Sequence, residues 1–160
     1  MKRTIAYPYQ PKSARSLIPG QFWSVPLKDG SFACGRVIQA APALPGASRV
    51  VFLAALLEWH GATEPDENNI ALAKCIAQGK AHIKTIKETG GAVLGLRPLE
   101  CDGVEPWLFR GARGHQNSYV SYGLEPKREQ EEGDQDLPIL SVWGYKYIQA
   151  LAEHRFVAQE

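Results

Sequence analysis

Hydrophobic and polar positions first fall into a clear pattern at residues 19–39, PGQFWSVPLKDGSFACGRVIQ. Gln21 to Leu27 is rich in aromatic and β-branched residues, which suit a pleated, half-buried surface. Lys28-Asp29-Gly30 reads as a turn, with Gly30 free to take a positive φ. Ser31 to Gln39 alternates, with Phe32, Cys34, Arg36 and Ile38 on one side and Ala33, Gly35, Val37 and Gln39 on the other. The pattern predicts a β-hairpin that begins at the Pro19-Gly20 turn, without saying which side is buried. A lone hairpin is marginal in water, so later strands must extend it.

Those strands are sought downstream. Residues 40–48, AAPALPGAS, read as a loop, and Arg49 to Leu57, RVVFLAALL, is the most apolar run; its length and Val-Val-Phe start favour a buried central strand, with a short buried helix as the alternative that periodicity leaves open. Glu58-Trp59-His60-Gly61 ends it, with His60 expected to be structural or solvated. Thr63 to Thr89 reads as a helix: Thr63 or Asp66 caps it, and Ile70, Ala73, Ile76, Ala77, Ile83 and Ile86 form its stripe. Lys84 and Lys87 suit its carboxyl end, Gly90-Gly91 stops it, and Gly79 weakens its middle. Further strands are expected at Ala92 to Arg97 and Asn117 to Tyr122, with a short apolar segment at Trp107 to Arg110. Glu125 to Asp136, with two bases and six acids, reads as an exposed loop. Leu137 to Leu140 is short and apolar, and a last helix is expected from about Tyr145 to Phe156. The fold class expected is therefore α+β. A strongly bent antiparallel sheet, SH3-like or barrel-like, carries a central and a C-terminal helix. Residues 1–18 form a basic, partly ordered arm, and residues 19–160 a single globular domain.

Composition narrows the chemistry. The 160 residues fit one domain, and a net charge of +1 gives no general steering toward nucleic acid or a membrane. No apolar run approaches a spanning helix, and the N-terminal MKRTIAYPYQPKSAR lacks the apolar stretch of a secretory signal. Cys34, Cys75 and Cys101 are an odd, widely spaced set that matches neither a disulfide framework nor a zinc site, so reduced thiols and a cytosolic setting are expected. Lys2, Arg3, Lys12 and Arg15 make the arm basic, and Arg110, Arg113 and His115 lie on a Gly-rich segment that could hold an anion, although a Walker loop is absent. HExxH, CxxC, GxSxG and GxGxxG are absent as well. Cys34 and Cys75 behave as small apolar residues, and Asp102 beside Cys101 disfavours its thiolate. The expectation is a protein without catalysis, metal or cofactor.

The opening pattern resembles the immunity protein 26 family of bacterial polymorphic toxin systems. The resemblance rests on Pro19, Gly20, Phe22, Pro26, Leu27, Asp29, Gly30, Gly35, Arg36 and Val37, and on the late Trp143-Gly144-Tyr145. Gln21 stands where the family often has an acid. The resemblance implies a cytosolic antidote that binds a cognate toxin domain, in toxin systems that include contact-dependent inhibition, and blocks it sterically or electrostatically. Two patches are candidates for that contact. One is the acidic segment Glu129, Glu131, Glu132, Asp134 and Asp136, suited to a basic toxin such as a nuclease; the other is Trp107, Arg110, Arg113 and Tyr119. A different reading is an SH3-like or Tudor-like nucleic-acid or peptide module using the basic arm, Trp23 and the Arg110 to His115 segment. An enzyme using Cys101 or His115 is a third.

Overall fold

The hairpin forms where the pattern places it. In the computed structural model, which describes residues 5–40, 49–111 and 119–157, strand β1 (Gln21–Pro26) pairs antiparallel with β2 (Phe32–Gln39). Gly30 has φ +86° in the turn, and Asp29 accepts the Ser31 amide at 2.9 Å. The predicted central strand is β3 (Val51–Gly61), paired with β2 on one side and β4 (Cys75–His82) on the other. Helix α1 (Lys84–Glu88) leads to β5 (Val93–Leu96), which pairs with β1. A second sheet of β6 (Leu108–Arg110), β7 (Tyr119–Tyr122) and β8 (Glu125–Glu129) follows. Strand β9 (Val142–Trp143) then joins β4 in parallel, and helix α2 (Tyr147–Ala152) runs into one π turn at Glu153–Val157.

The architecture is mostly sheet with a few short helices. The larger sheet is mixed and six-stranded, in the order β5-β1-β2-β3-β4-β9, and its end strands do not pair, so it does not close into the expected barrel. Parallel β9 takes the free edge of β4.

Two expectations need correcting. The central helix at Thr63 to Thr89 is not formed: residues 67–72 make turns, Cys75–His82 is a strand, and only Lys84–Glu88 is helical. Tertiary pairing overrides helix propensity here, because β4 takes backbone bonds from β3 and from β9. Gly79 marks the reason, since a Cβ there would lie 2.1 Å from the Trp143 indole nitrogen. Glu125 to Asp136 is also not all loop, because its first part is β8. The alternation was hidden there by charged residues on an exposed edge strand. The predicted loop at residues 41–48, part of the strand at residues 117–122 and residues 1–4 of the arm lie outside the described residues.

Both faces of the large sheet are covered, which explains the near-continuous apolar run of β3. Phe52, Ala54 and Leu56 face one core with Trp23, Val25, Val37, Ile86, Trp143, Ile148 and Ala152, joined by Ala14 and Leu17 from the N-terminal segment. Leu53, Ala55 and Leu57 face the other side, against Ile38 and Phe109 or against Phe22 and Ile70.

A buried charge sits on that second side. Arg36 is fully buried in β2 and its Nη1 lies 2.9 Å from Asp102, whose side chain is equally buried. Arg36 also donates to the Arg97 and Pro98 carbonyls. Asp102 accepts Arg97 Nε at 2.9 Å and the Leu72 amide at 2.7 Å. Burial alone would push the Asp102 carboxyl up, but donors from Arg97, Leu72 and Arg36 hold it down at about 2.

Two outcomes follow from this pair. Asp102→Asn leaves Arg36 buried without its counter-charge and should cost about 3–5 kcal/mol in urea unfolding. Since the folded Asp102 carboxyl lies below its ordinary 3.8, its contribution is complete above about pH 4 and is lost as the pH falls through about 2. The stability gap between wild type and Asp102→Asn should therefore narrow over that window; a gap that stays constant would remove Asp102 as the titrating group.

Candidate functional site

The second sheet carries the candidate contact residues, and the large sheet holds it by two buried or half-buried glutamines. Gln39, at the end of β2, accepts the Leu124 amide at 2.6 Å and donates to the Tyr122 carbonyl at 3.4 Å. Gln78, in β4, donates to the Glu105 carbonyl at 3.0 Å and accepts the Trp107 amide at 2.9 Å. Beneath them Phe109, Leu124 and Leu140 pack on Ile38, Leu53 and Ala55.

The two patches that the sequence offers as alternatives become neighbours. Tyr119 in β7 is the register partner of Glu129 in β8, and Tyr119 is exposed. Arg110 in β6 donates through Nε to the Leu137 carbonyl at 2.9 Å, which brings it to the end of the acidic segment. Trp107 is half-buried, with its ring centroid 6.3 Å from that of Phe109. Arg113, and His115 with it, lie outside the described residues.

The acidic residues divide by role. Asp134 is buried and bidentate with Arg128, at 2.7 and 2.8 Å, and it accepts the Glu131 amide at 2.8 Å. The Arg128 guanidinium and the Glu131 amide hold its carboxyl down at about 2. Asp134 thus shapes the segment. Glu129, Glu131, Glu132 and Asp136 are exposed, and among the described residues no salt bridge engages them. Glu125 is paired with Lys127. The segment after β8 therefore presents carboxylates in excess, beside the exposed Tyr119 of β7.

Reactive groups elsewhere do not assemble. Burial pushes the Cys34 and Cys75 thiols up, away from thiolate. Ser31 lies between His60 Nε2, at 2.7 Å, and Asp29. In a hydrolase triad the His stands between Ser and Asp, so this order relays no proton from Ser31 through His60 to a carboxylate. The His60 ring is instead stacked on Phe156 with centroids 5.1 Å apart. Among the described residues no three His, Cys, Asp or Glu side chains gather as metal ligands, and no helix is long and apolar enough to cross a membrane. Trp23 is fully buried against Gly35 and donates to Thr89 at 3.0 Å, so it offers no ring to a base or a peptide.

Sequence reasoning missed Gln39 and Gln78. The signal was present in Gln39, a polar residue closing an apolar strand, and was masked for Gln78 by the helical reading of its segment. A family model described as Immunity protein 26 matches residues 18–100, which span β1 to β5. No curated protein and no solved structure matches the chain significantly.

Replacing Arg128 with Met removes the main cause of the low Asp134 value. The Asp134 carboxyl should then rise from about 2 toward its ordinary 3.8, read by carboxyl carbon NMR titration. An unchanged titration would show that the Glu131 amide alone sets it.

Proposed function

The chain belongs to the immunity protein 26 family, and on that footing we propose that it neutralises a cognate toxin domain by binding it through the second sheet. The observation that supports this surface is the register of β7 with β8. It sets exposed Tyr119 against Glu129, at the start of a run in which Glu129, Glu131, Glu132 and Asp136 have no salt bridge among the described residues, while Asp134 is paired with Arg128. Tyrosine is among the residues that most often anchor protein interfaces, and complementary charge beside it steers the partner.

The block needs no chemistry from this chain. The surface covers the toxin's own site, or holds the toxin in an inactive shape, and an interface of ordinary size takes roughly 800 Å² from each partner. The excess of carboxylates favours a toxin with a basic face, as a nuclease has, and such charge chiefly speeds association. The setting is the cytoplasm of a bacterium carrying a polymorphic toxin system, of the contact-dependent type or another. The family match covers the scaffold and stops before β6, so the proposed surface lies in the part of the chain outside it. Trp107 and Arg110 lie at the margin of this surface, and Arg113 belongs to the same proposal from outside the described residues.

The test is growth rescue. The toxin domain encoded beside this chain's gene is expressed in a test bacterium with and without the chain, and rescue with co-purification is expected. Toxicity without rescue would overturn the reading. Reversing Glu129, Glu131 and Glu132 together to Lys should weaken toxin binding at least about tenfold at low salt, and added salt should then weaken it less than it weakens wild-type binding. Asp134 is left in place because it pairs with Arg128. Equal affinity in the triple variant would rule out this face.

A further inference from the structure

A cleft at the seam of the two sheets has a chemistry of its own. It is an open cleft of about 510 Å³ lined by Pro19, Leu99, Val104 and Tyr122. Glu100 and Glu105 also line it; both are exposed, and among the described residues neither is in a salt bridge. We propose that this cleft is a socket for an arginine side chain of the toxin, with the aliphatic stem on the apolar walls and the guanidinium between Glu100, Glu105 and the Tyr122 ring. The proposal rests on the toxin-binding reading, and it adds a specific anchor that lies beside the second sheet.

Three features fit an arginine. Apolar side chains that suit a methylene stem and two glutamates that suit its charged end line the same cleft. The acceptor is already positioned: Tyr122 donates its phenol to Glu105 Oε1 at 2.9 Å, and Gln78 fixes the Glu105 carbonyl at 3.0 Å. Little side-chain freedom is then lost when a cation arrives. The Tyr122 ring also attracts a cation within the chain itself, since Lys127 Nζ lies 5.9 Å from its centroid. A planar guanidinium can lie against the ring and still meet two carboxylates, which a compact ammonium does less well. Tyr122 belongs to β7, the strand that also carries Tyr119, so an arginine seated here would anchor one end of a partner lying on the second sheet.

The experiment has two arms. In the first, the ¹⁵N-labelled chain is titrated with N-acetyl-Gly-Arg-Gly-amide and with the same peptide carrying norleucine. Saturable shifts at the Leu99, Val104, Glu105 and Tyr122 amides are expected with the arginine peptide alone. They should disappear in the double variant Glu100→Gln, Glu105→Gln, which keeps an acceptor for Tyr122. Absent shifts, shifts equal for both peptides, or shifts that persist in the double variant would overturn the socket. In the second arm, the double variant is titrated with the toxin domain, and its dissociation constant should rise about tenfold with no change in thermal midpoint. Wild-type binding with unchanged affinity in the variant overturns the socket and leaves the toxin reading intact. If the wild type does not bind the toxin, that reading fails and the peptide arm decides the socket by itself.

Discussion

The fold depends on a buried charge. Arg36 comes from the middle of β2 and sits fully inside, facing Asp102. A lone guanidinium in that position would cost several kcal/mol, so the chain must bring it an anion and further acceptors. It brings all three from one stretch. Asp102 and the carbonyls of Arg97 and Pro98 come from the segment after β5, and Asp102 in turn ties down Leu72 in the turn before β4. Arg97 then reaches the Glu67 carbonyl at 3.1 Å. One charged side chain therefore organises the loops that roof the second side of the sheet. The arrangement also forces backbone cost: Leu72 has φ +65°, a left-handed conformation that non-glycine residues rarely take, and the Asp102 contact to its amide holds it there. Among the described residues Arg36 Nε itself has no partner, so within them the cluster is not fully satisfied.

On the opposite side the limiting factor is room for aromatic rings. A Cβ on Gly35 would lie 2.4 Å from the Trp23 ring, and Gly35 is the register partner of Trp23. Gly79 leaves the same space for Trp143. On the face that carries Arg36, Gly95 does so for Phe22 across the β1–β5 pair. In each case a glycine gives up side-chain packing in its own strand so that a large ring can lie flat against the backbone of a neighbour. Rings placed this way bury much apolar area in a thin layer, which leaves α2 close enough to pack Ile148 and Ala152 on the same core.

Local patterns were legible in the chain where local physics decides them. The hairpin, its Asp29-Gly30 turn, the apolar β3 and the late α2 follow from alternation, turn chemistry and helical spacing. Residues 75–82 were not legible, because Ala, Ile and Lys there favour a helix in isolation. Only pairing with β3 and β9, both distant in sequence, makes a strand of them. The same limit applied to the candidate surface. Tyr119 and the Glu129–Asp136 segment were each visible as residue types, but their adjacency depends on the β7–β8 register. Asp134 looked like its acidic neighbours until its pairing with Arg128 separated it from them.

How the second sheet is held bears on what it can present. Gln39 and Gln78 bind it through backbone groups: the Tyr122 and Glu105 carbonyls, and the Leu124 and Trp107 amides. Bonds of this kind do not depend on which side chains the held segment carries. The inward side still needs apolar groups such as Phe109, Leu124 and Leu140, but the outward positions are released from any part in attachment. Gln39, Gln78 and Arg36 all lie within the stretch that matches the family, while β6, β7 and β8 lie beyond it. A scaffold that grips a sheet by its backbone can keep its own residues while the gripped sheet changes its outer face. That separation leaves the outward carboxylates Glu129, Glu131, Glu132 and Asp136 without a part in attaching the sheet, and it is the reason the proposed function assigns them to a partner.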